Sequence, residues 1–166
     1  PCSIPERSIP GVGDPAPQSE LPDETGTVHP LVDQRGRLTV VYFYPADDTP
    51  GCTVEACEFR DANVSIRERG ADVWGISPQG AKSKRSFREK FGLPFLLLAD
   101  TDHTVADAYG TWVEKKNYGK TSMGVARTTF LVDPAGRIAR TWSKVKSAGH
   151  AAEVIAALDE VQAAGA

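Results

Sequence analysis

Short, nearly unbroken apolar runs recur along the chain, separated by longer stretches of helical periodicity. Leu38 to Tyr44 (LTVVYFY), Asp72 to Ser77 (DVWGIS) and Phe95 to Ala99 (FLLLA) are rich in β-branched, aromatic and aliphatic residues. They are too short for helices and largely apolar at odd and even positions alike, the pattern of strands buried on both faces. Pro45 stops the first run. Thr49-Pro50-Gly51 then opens a helix, with Thr49 as N-cap and Pro50 at the first helical position, running to about Arg69 before Gly70. Ala81 to Phe91 forms a second helix closed by Gly92 and Pro94, and Thr104 to Tyr109 a short one ending at Gly110.

Thr128 to Val132 and Arg137 to Trp142 flank Asp-Pro-Ala-Gly, a turn sequence, and together predict a β-hairpin. A last helix spans about His150 to Gln162, with Val154, Ile155, Leu158 and Val161 on one face. Trp112 to Ala126 is polar, holds two glycines and reads as a long loop, a feature that often serves function. Strands alternating with helices, then a hairpin and a final helix, predict an α/β domain with a mixed central sheet flanked by helices. Six of the twelve prolines precede Asp23, so the opening reads as an extended surface arm with room for a short hairpin. The expected organisation is an arm over residues 1–12 and one domain over 13–166.

Composition narrows the classes. The 166 residues are 40% hydrophobic and 25% charged, which is globular. Nineteen basic against twenty-two acidic side chains leave a formal charge of −3, without the basic excess of a nucleic-acid or anionic-membrane binder. No apolar stretch approaches the roughly 18 residues of a membrane span. The first residues lack a signal-peptide layout, so the expected compartment is the cytoplasm. Three cysteines cannot build a multi-disulfide scaffold, and in a reducing compartment such cysteines more often do chemistry.

Counting from Thr49 as N-cap places Cys52 at the third helical position, where the Thr49 hydroxyl is expected to accept from the Cys52 amide. Free first-turn N–H groups and the positive end of the helix dipole favour a thiolate there, the nucleophilic form of cysteine. The competing reading is a buried, inert cysteine filling a small space. Cys57 follows five residues later. Five helical residues rise about 7.5 Å and turn about 140°, which puts the Cα atoms roughly 8.6 Å apart. That exceeds the limit of about 7 Å for a disulfide, so the two sulfurs can bond only if the first turns unwind. Taken alone, Cys57 reads as a small helical core residue, since Ala56 and Phe59 beside it are apolar, and it gains weight only as a partner to Cys52. Cys2 reads as a bystander thiol on the arm, within reach of Cys52 if the arm bends.

Other chemistries fit poorly. His29, His103 and His150 lie far apart, no metal-type His pair joins the cysteines, and each histidine reads as a surface or turn residue. No G-x-S-x-G elbow is present. Arg127 stands at the mouth of the strand from Thr128. It is either solvated or paired there, or it reaches a thiolate at the sheet edge.

The run YFYPADDTPGCTVEACEFRD, from Tyr42 to Asp61, resembles the peroxiredoxin active-site segment. Pro45, Thr49 and Cys52 match its P-x-x-x-T-x-x-C motif, and the Cys52–Cys57 spacing resembles the bacterioferritin comigratory protein, or peroxiredoxin Q, subfamily. GDPAP at Gly13, GIS at Gly75, the Trp112 to Lys116 segment and GVARTTFLVDPAG from Gly124 extend the likeness over most of the chain. The resemblance implies a thioredoxin-like fold and reduction of hydrogen peroxide and organic hydroperoxides without haem, flavin or metal. It implies Cys52 as peroxidatic cysteine, Cys57 as resolving cysteine through an intramolecular disulfide, Thr49 and Arg127 as orienting groups and Pro45 as a shield. Glu55 falls where members often carry a polar side chain. The implied partner is thioredoxin or a similar dithiol reductant, in antioxidant defence. Internal resolution removes the need for a partner subunit, so a monomer is expected. The rival functions are a thioredoxin-like dithiol oxidoreductase, which the five-residue spacing disfavours, and a non-catalytic redox sensor.

Overall fold

A computed structural model describes residues 10–117 and 119–164. Most of the expected arm, Cys2 included, lies outside the described residues. The centre is a five-stranded sheet built from β3 (Leu38–Phe43), β4 (Ala71–Ser77), β5 (Leu96–Ala99), β8 (Thr128–Val132) and β9 (Ile138–Trp142), in the order β5-β4-β3-β8-β9. β3, β4 and β5 run parallel, joined by right-sized helical crossovers, while β8 and β9 are antiparallel. The sheet is mixed, as the alternation of elements predicts.

β3 is central, and all six of its residues are buried. Its alternating side chains divide the core. Leu38, Val40 and Tyr42 join Phe59, Ile66, Phe87, Val154 and Leu158 on one face, where α1 (Pro50–Glu68), α2 (Ala81–Phe91) and α4 (His150–Ala164) pack. Val41 and Phe43 join Trp74, Val105, Tyr109 and Phe130 on the other, beside α3 (Thr104–Ala108). Burying both sides of one strand is why its sequence lacks a polar alternate.

The N-terminal hairpin is β1 (Glu20–Pro22) with β2 (Val28–Pro30), followed by a 3₁₀ turn at Leu31–Gln34. It lies beyond most of the proline-rich opening. A correction concerns the segment expected as a loop. β6 (Trp112–Asn117) and β7 (Lys120–Val125) form a two-stranded antiparallel ribbon, with Gly119 at φ +77° near its tip. Among the described residues the ribbon is hydrogen-bonded to no strand of the central sheet, so much of its surface meets water and its sequence is polar. Polarity masked the strands. His150 also departs from expectation: it is buried, wedged edge-on between Phe59 and Trp142, and its Nε2 is 2.8 Å from Thr129 Oγ1. Burial holds its imidazole below the ordinary value, so this histidine is a neutral core group rather than a surface one.

Candidate active site

The chain leaves β3 at Pro45 and turns through Asp47 and Asp48 into α1. Asp48 takes φ +57°, a left-handed conformation that a short polar side chain tolerates better than most. Thr49 is the N-cap in extended conformation, and Pro50 opens the helix, so Cys52 stands third in α1 as its sequence predicts. The cap itself differs. The Thr49 hydroxyl donates to the carbonyl of Ala46 at 3.0 Å and makes no bond to a helix amide. Swinging back onto the loop satisfies that carbonyl and leaves the Cys52 amide, which has no acceptor within its own helix, without the Thr49 hydroxyl as its acceptor.

Cys52 is 1% exposed and Cys57 half-buried, and both are free thiols. Arg127, 75 positions away in the chain, reaches Cys52 directly: its Nη2 donates to Sγ at 3.2 Å. Its Nη1 donates to Glu55 Oε1 at 2.8 Å. Burial works against the charge on Arg127, but Glu55 and Cys52 outweigh it and hold the guanidinium above its ordinary value. Glu55 is 1% exposed, and burial raises its carboxyl from 4.5 to about 7 despite Arg127. Its second oxygen has no hydrogen-bond partner among the described residues. Glu55 lies three residues past Cys52, on the same helix face. That spacing was the available sign of a group bridged to Cys52 through one cation.

One further element closes the site. The β9–α4 connection crosses it, with the Val145 amide donating to the Arg127 carbonyl at 3.1 Å. A Cβ on Gly51 would stand 3.2 Å from both Arg127 Nη2 and Ser147 Oγ, so glycine lets these groups approach the first helical turn. The Gly149 amide then donates to the Glu58 carboxylate at 2.8 Å, tying α4 to α1.

Below the loop lies a buried polar network without a sequence signal. Lys84 of α2 is fully buried, and its ammonium meets Ser77 Oγ at 2.5 Å and Asp47 Oδ2 at 3.4 Å. Asp47 also accepts from Tyr44 at 2.6 Å and from Ser83 at 2.8 Å. Gln79 completes the tie: its Oε1 accepts from the Asp47 amide, and its Nε2 donates to the Pro45 carbonyl at 3.2 Å. Burial lowers Lys84 to about 8, with Asp47 pulling the other way. The carbonyl of half-buried Pro45 is thereby held to this network.

This arrangement of Pro45, Thr49, Cys52 and Arg127 sits within a match to the AhpC/TSA family model over residues 12–141. The chain belongs to the AhpC/TSA family. Among AhpC/TSA relatives, peroxiredoxin Bcp of Bacillus subtilis (strain 168) is 45% identical over 150 residues, 90% of this chain and 96% of the relative. The putative peroxiredoxin bcp of Coxiella burnetii is 48% identical over 147 residues, 89% and 97% of the two chains. A solved structure of the Xanthomonas campestris bacterioferritin comigratory protein superposes with a TM-score of 0.82 at 39% identity, covering 86% of this chain and 90% of that one. The AhpC/TSA chain described here is thus a peroxiredoxin of the Bcp, or peroxiredoxin Q, group with a thioredoxin-like fold.

Proposed function

We propose that this peroxiredoxin is a thiol peroxidase in which Cys52 reduces hydrogen peroxide and organic hydroperoxides. The carrying observation is the 3.2 Å contact from Arg127 to Cys52 Sγ at a helix N-terminus. A guanidinium and free amides around one sulfur stabilise its thiolate and can also receive negative charge on a bound oxygen. The related Xanthomonas protein is described for its alkyl peroxide reduction activity.

Cys52 thiolate attacks the terminal peroxide oxygen. The S–O bond forms as the O–O bond breaks, and the departing oxygen takes a proton to leave as water or alcohol. Cys52 becomes a sulfenic acid, oxidised by two electrons. Thr49, whose proton is committed to Ala46, can accept the peroxide O–H, while the Cys52 amide and Arg127 donate to the peroxide oxygens. Pro45 shields the pocket from bulk water. Cys57 thiol then attacks the sulfenic sulfur, releasing water and forming the Cys52–Cys57 disulfide. Both cysteines lie in α1, so its first turns unwind for this step. A thioredoxin-type dithiol restores both thiols by exchange. The proposed setting is a monomer in the cytoplasm. Among the described residues no helix is long and apolar enough to cross a membrane.

The test is stopped-flow Trp fluorescence of the reduced protein with one equivalent of hydrogen peroxide, followed by non-reducing mass mapping. Fast oxidation ending in a Cys52–Cys57 disulfide is expected. Slow oxidation by every hydroperoxide tried refutes the peroxidase. A Cys52–Cys2 product reassigns the resolving thiol.

A further inference from the structure

The three residues that follow Cys57 in α1 are each held by a different part of the fold. The Glu58 carboxylate accepts from the Gly149 amide with both oxygens, at 2.8 Å and 3.1 Å, directly before α4. Phe59 is fully buried, its ring stacked on Tyr42 of β3 at 4.8 Å and edge-on to Phe95 and His150. Arg60 Nη1 donates to the carbonyl of Phe91, the last residue of α2, at 2.8 Å. Successive helical side chains point about 100° apart, so the three ties grip α1 from three sides.

The turns before Glu58 are held more loosely. Among the described residues, Arg127 is the one side-chain hydrogen-bond partner of residues 50–57, reached by Cys52 and Glu55. Ala56 is buried but offers the core a single methyl group, and Val54 is exposed. Once Cys52 is a neutral sulfenic acid, the bond from Arg127 to its sulfur loses its anion, and charge-assisted bonds are about twice as strong as neutral ones. Oxidation therefore loosens the front of α1 and leaves all three ties behind Cys57 intact.

We propose that Glu58, Phe59 and Arg60 form a clamp that stops the unwinding of α1 at Cys57, with Glu58 and Arg60 as positioning residues for the resolving thiol. This rests on the Cys52–Cys57 disulfide of the preceding reading, and the bond changes are those already given. With the clamp closed, the segment before Cys57 uncoils while Cys57 keeps its place, so only one of the two sulfurs has to find the other. Each helical amide bonds to the carbonyl four residues earlier, so the first amide the clamp preserves is that of Ala62, bonded to Glu58.

The experiment follows hydrogen exchange by mass spectrometry on the full chain, reduced and as the disulfide, in wild type, Glu58→Ala, Glu58→Gln and Arg60→Met. Stopped-flow fluorescence separates the peroxide step from the conversion of sulfenic acid to disulfide. In wild type the disulfide should cost protection before Ala62 and leave it in place from Ala62 onward. In Glu58→Ala and Arg60→Met the loss should run past Ala62. The peroxide step should keep its rate in Glu58→Ala while disulfide formation slows about fivefold, the effect of losing one helix cap. Glu58→Gln keeps an acceptor for the Gly149 amide and should behave as wild type. Protection lost beyond Ala62 in the wild-type disulfide overturns the proposal. Equal effects of Glu58→Ala and Glu58→Gln also overturn it, tracing the change to the charge beside Cys57. Faster disulfide formation in Glu58→Ala does so too, because the tie would then restrain the step. A wild-type product lacking the Cys52–Cys57 disulfide instead removes the resolving role of Cys57 on which the clamp rests.

Discussion

Arg127 joins Cys52 to Glu55, donating to the sulfur at 3.2 Å with one guanidinium nitrogen and to the carboxylate at 2.8 Å with the other. The fork is planar and rigid, so placing one arm on a buried carboxylate aims the other at the Cys52 sulfur. Glu55 acts on the site through this arginine.

Replacing the fork should therefore slow chemistry more than it harms the fold. Arg127→Lys keeps a positive charge for Glu55 but cannot span both partners. The rate of peroxide-driven Cys52 oxidation should fall about 10²- to 10³-fold, the range for loss of a donor aimed at developing charge. Single-turnover fluorescence measures the rate, and thermal melting checks that the fold persists. A rate within a few-fold of wild type would remove Arg127 from the reacting centre.

In the proposed cycle Cys57 separates the first half from the second. In Cys57→Ser the first equivalent of peroxide should be consumed at nearly the wild-type rate, leaving Cys52 as sulfenic acid. Recycling by a thioredoxin-type reductant should then fail, and sulfinic acid should accumulate with repeated peroxide. Mass spectrometry after successive equivalents reads this directly. Normal steady-state turnover in the variant would show that resolution comes from elsewhere.

Glu55 should leave a mark on the pH dependence of stability. Its folded carboxyl titrates at about 7 against an ordinary 4.5, so the folded state holds this proton more tightly than the unfolded chain. The contribution is fully present below 4.5 and is lost as pH rises through about 7. His150, held below its ordinary 6.5, acts in the opposite sense and weakens the fold as pH falls. The difference between wild type and Glu55→Gln isolates the carboxyl. Glu55→Gln should gain in urea midpoint relative to wild type on going from about pH 4.5 to about pH 8. A parallel pair of curves would show that burial does not set this group's titration.

Lys84 and Asp47 anchor the loop that carries Pro45 and Thr49. Lys84→Met leaves the Asp47 carboxylate buried, with Tyr44 and Ser83 donating to it and no counter-charge. It should destabilise by about 3–5 kcal/mol, as removal of one partner from a buried ion pair does. Adding Asp47→Asn should recover part of that loss, because the uncompensated charge is gone. Denaturant titration of the two variants decides it, and near-wild-type stability in Lys84→Met would mean that the pair carries little.

Much of this was readable along the chain because the signals are local. The start of α1 follows from Thr49 and Pro50, and the position of Cys52 in its first turn follows by counting. β3 announces itself because both of its faces are buried within six residues of sequence. The five-residue spacing of Cys52 and Cys57 carries its own geometric consequence, whatever surrounds the helix. Other features depend on contacts through space, which sequence order does not encode. The Thr49 hydroxyl chose the Ala46 carbonyl over a helix amide because the loop folds back there. Residues 112–125 pair as a ribbon whose polar surface resembles a loop, and that pairing lays Lys115 across Gly124. His150 is neutral because Phe59 and Trp142 close around it. The arrival of Arg127 at Cys52 was decided by the sheet: β8 lies antiparallel to β3, so the residue just before β8 comes level with the end of β3, where α1 begins. Local propensity determined the elements and the place of Cys52 on its helix, while strand pairing determined which charges surround it.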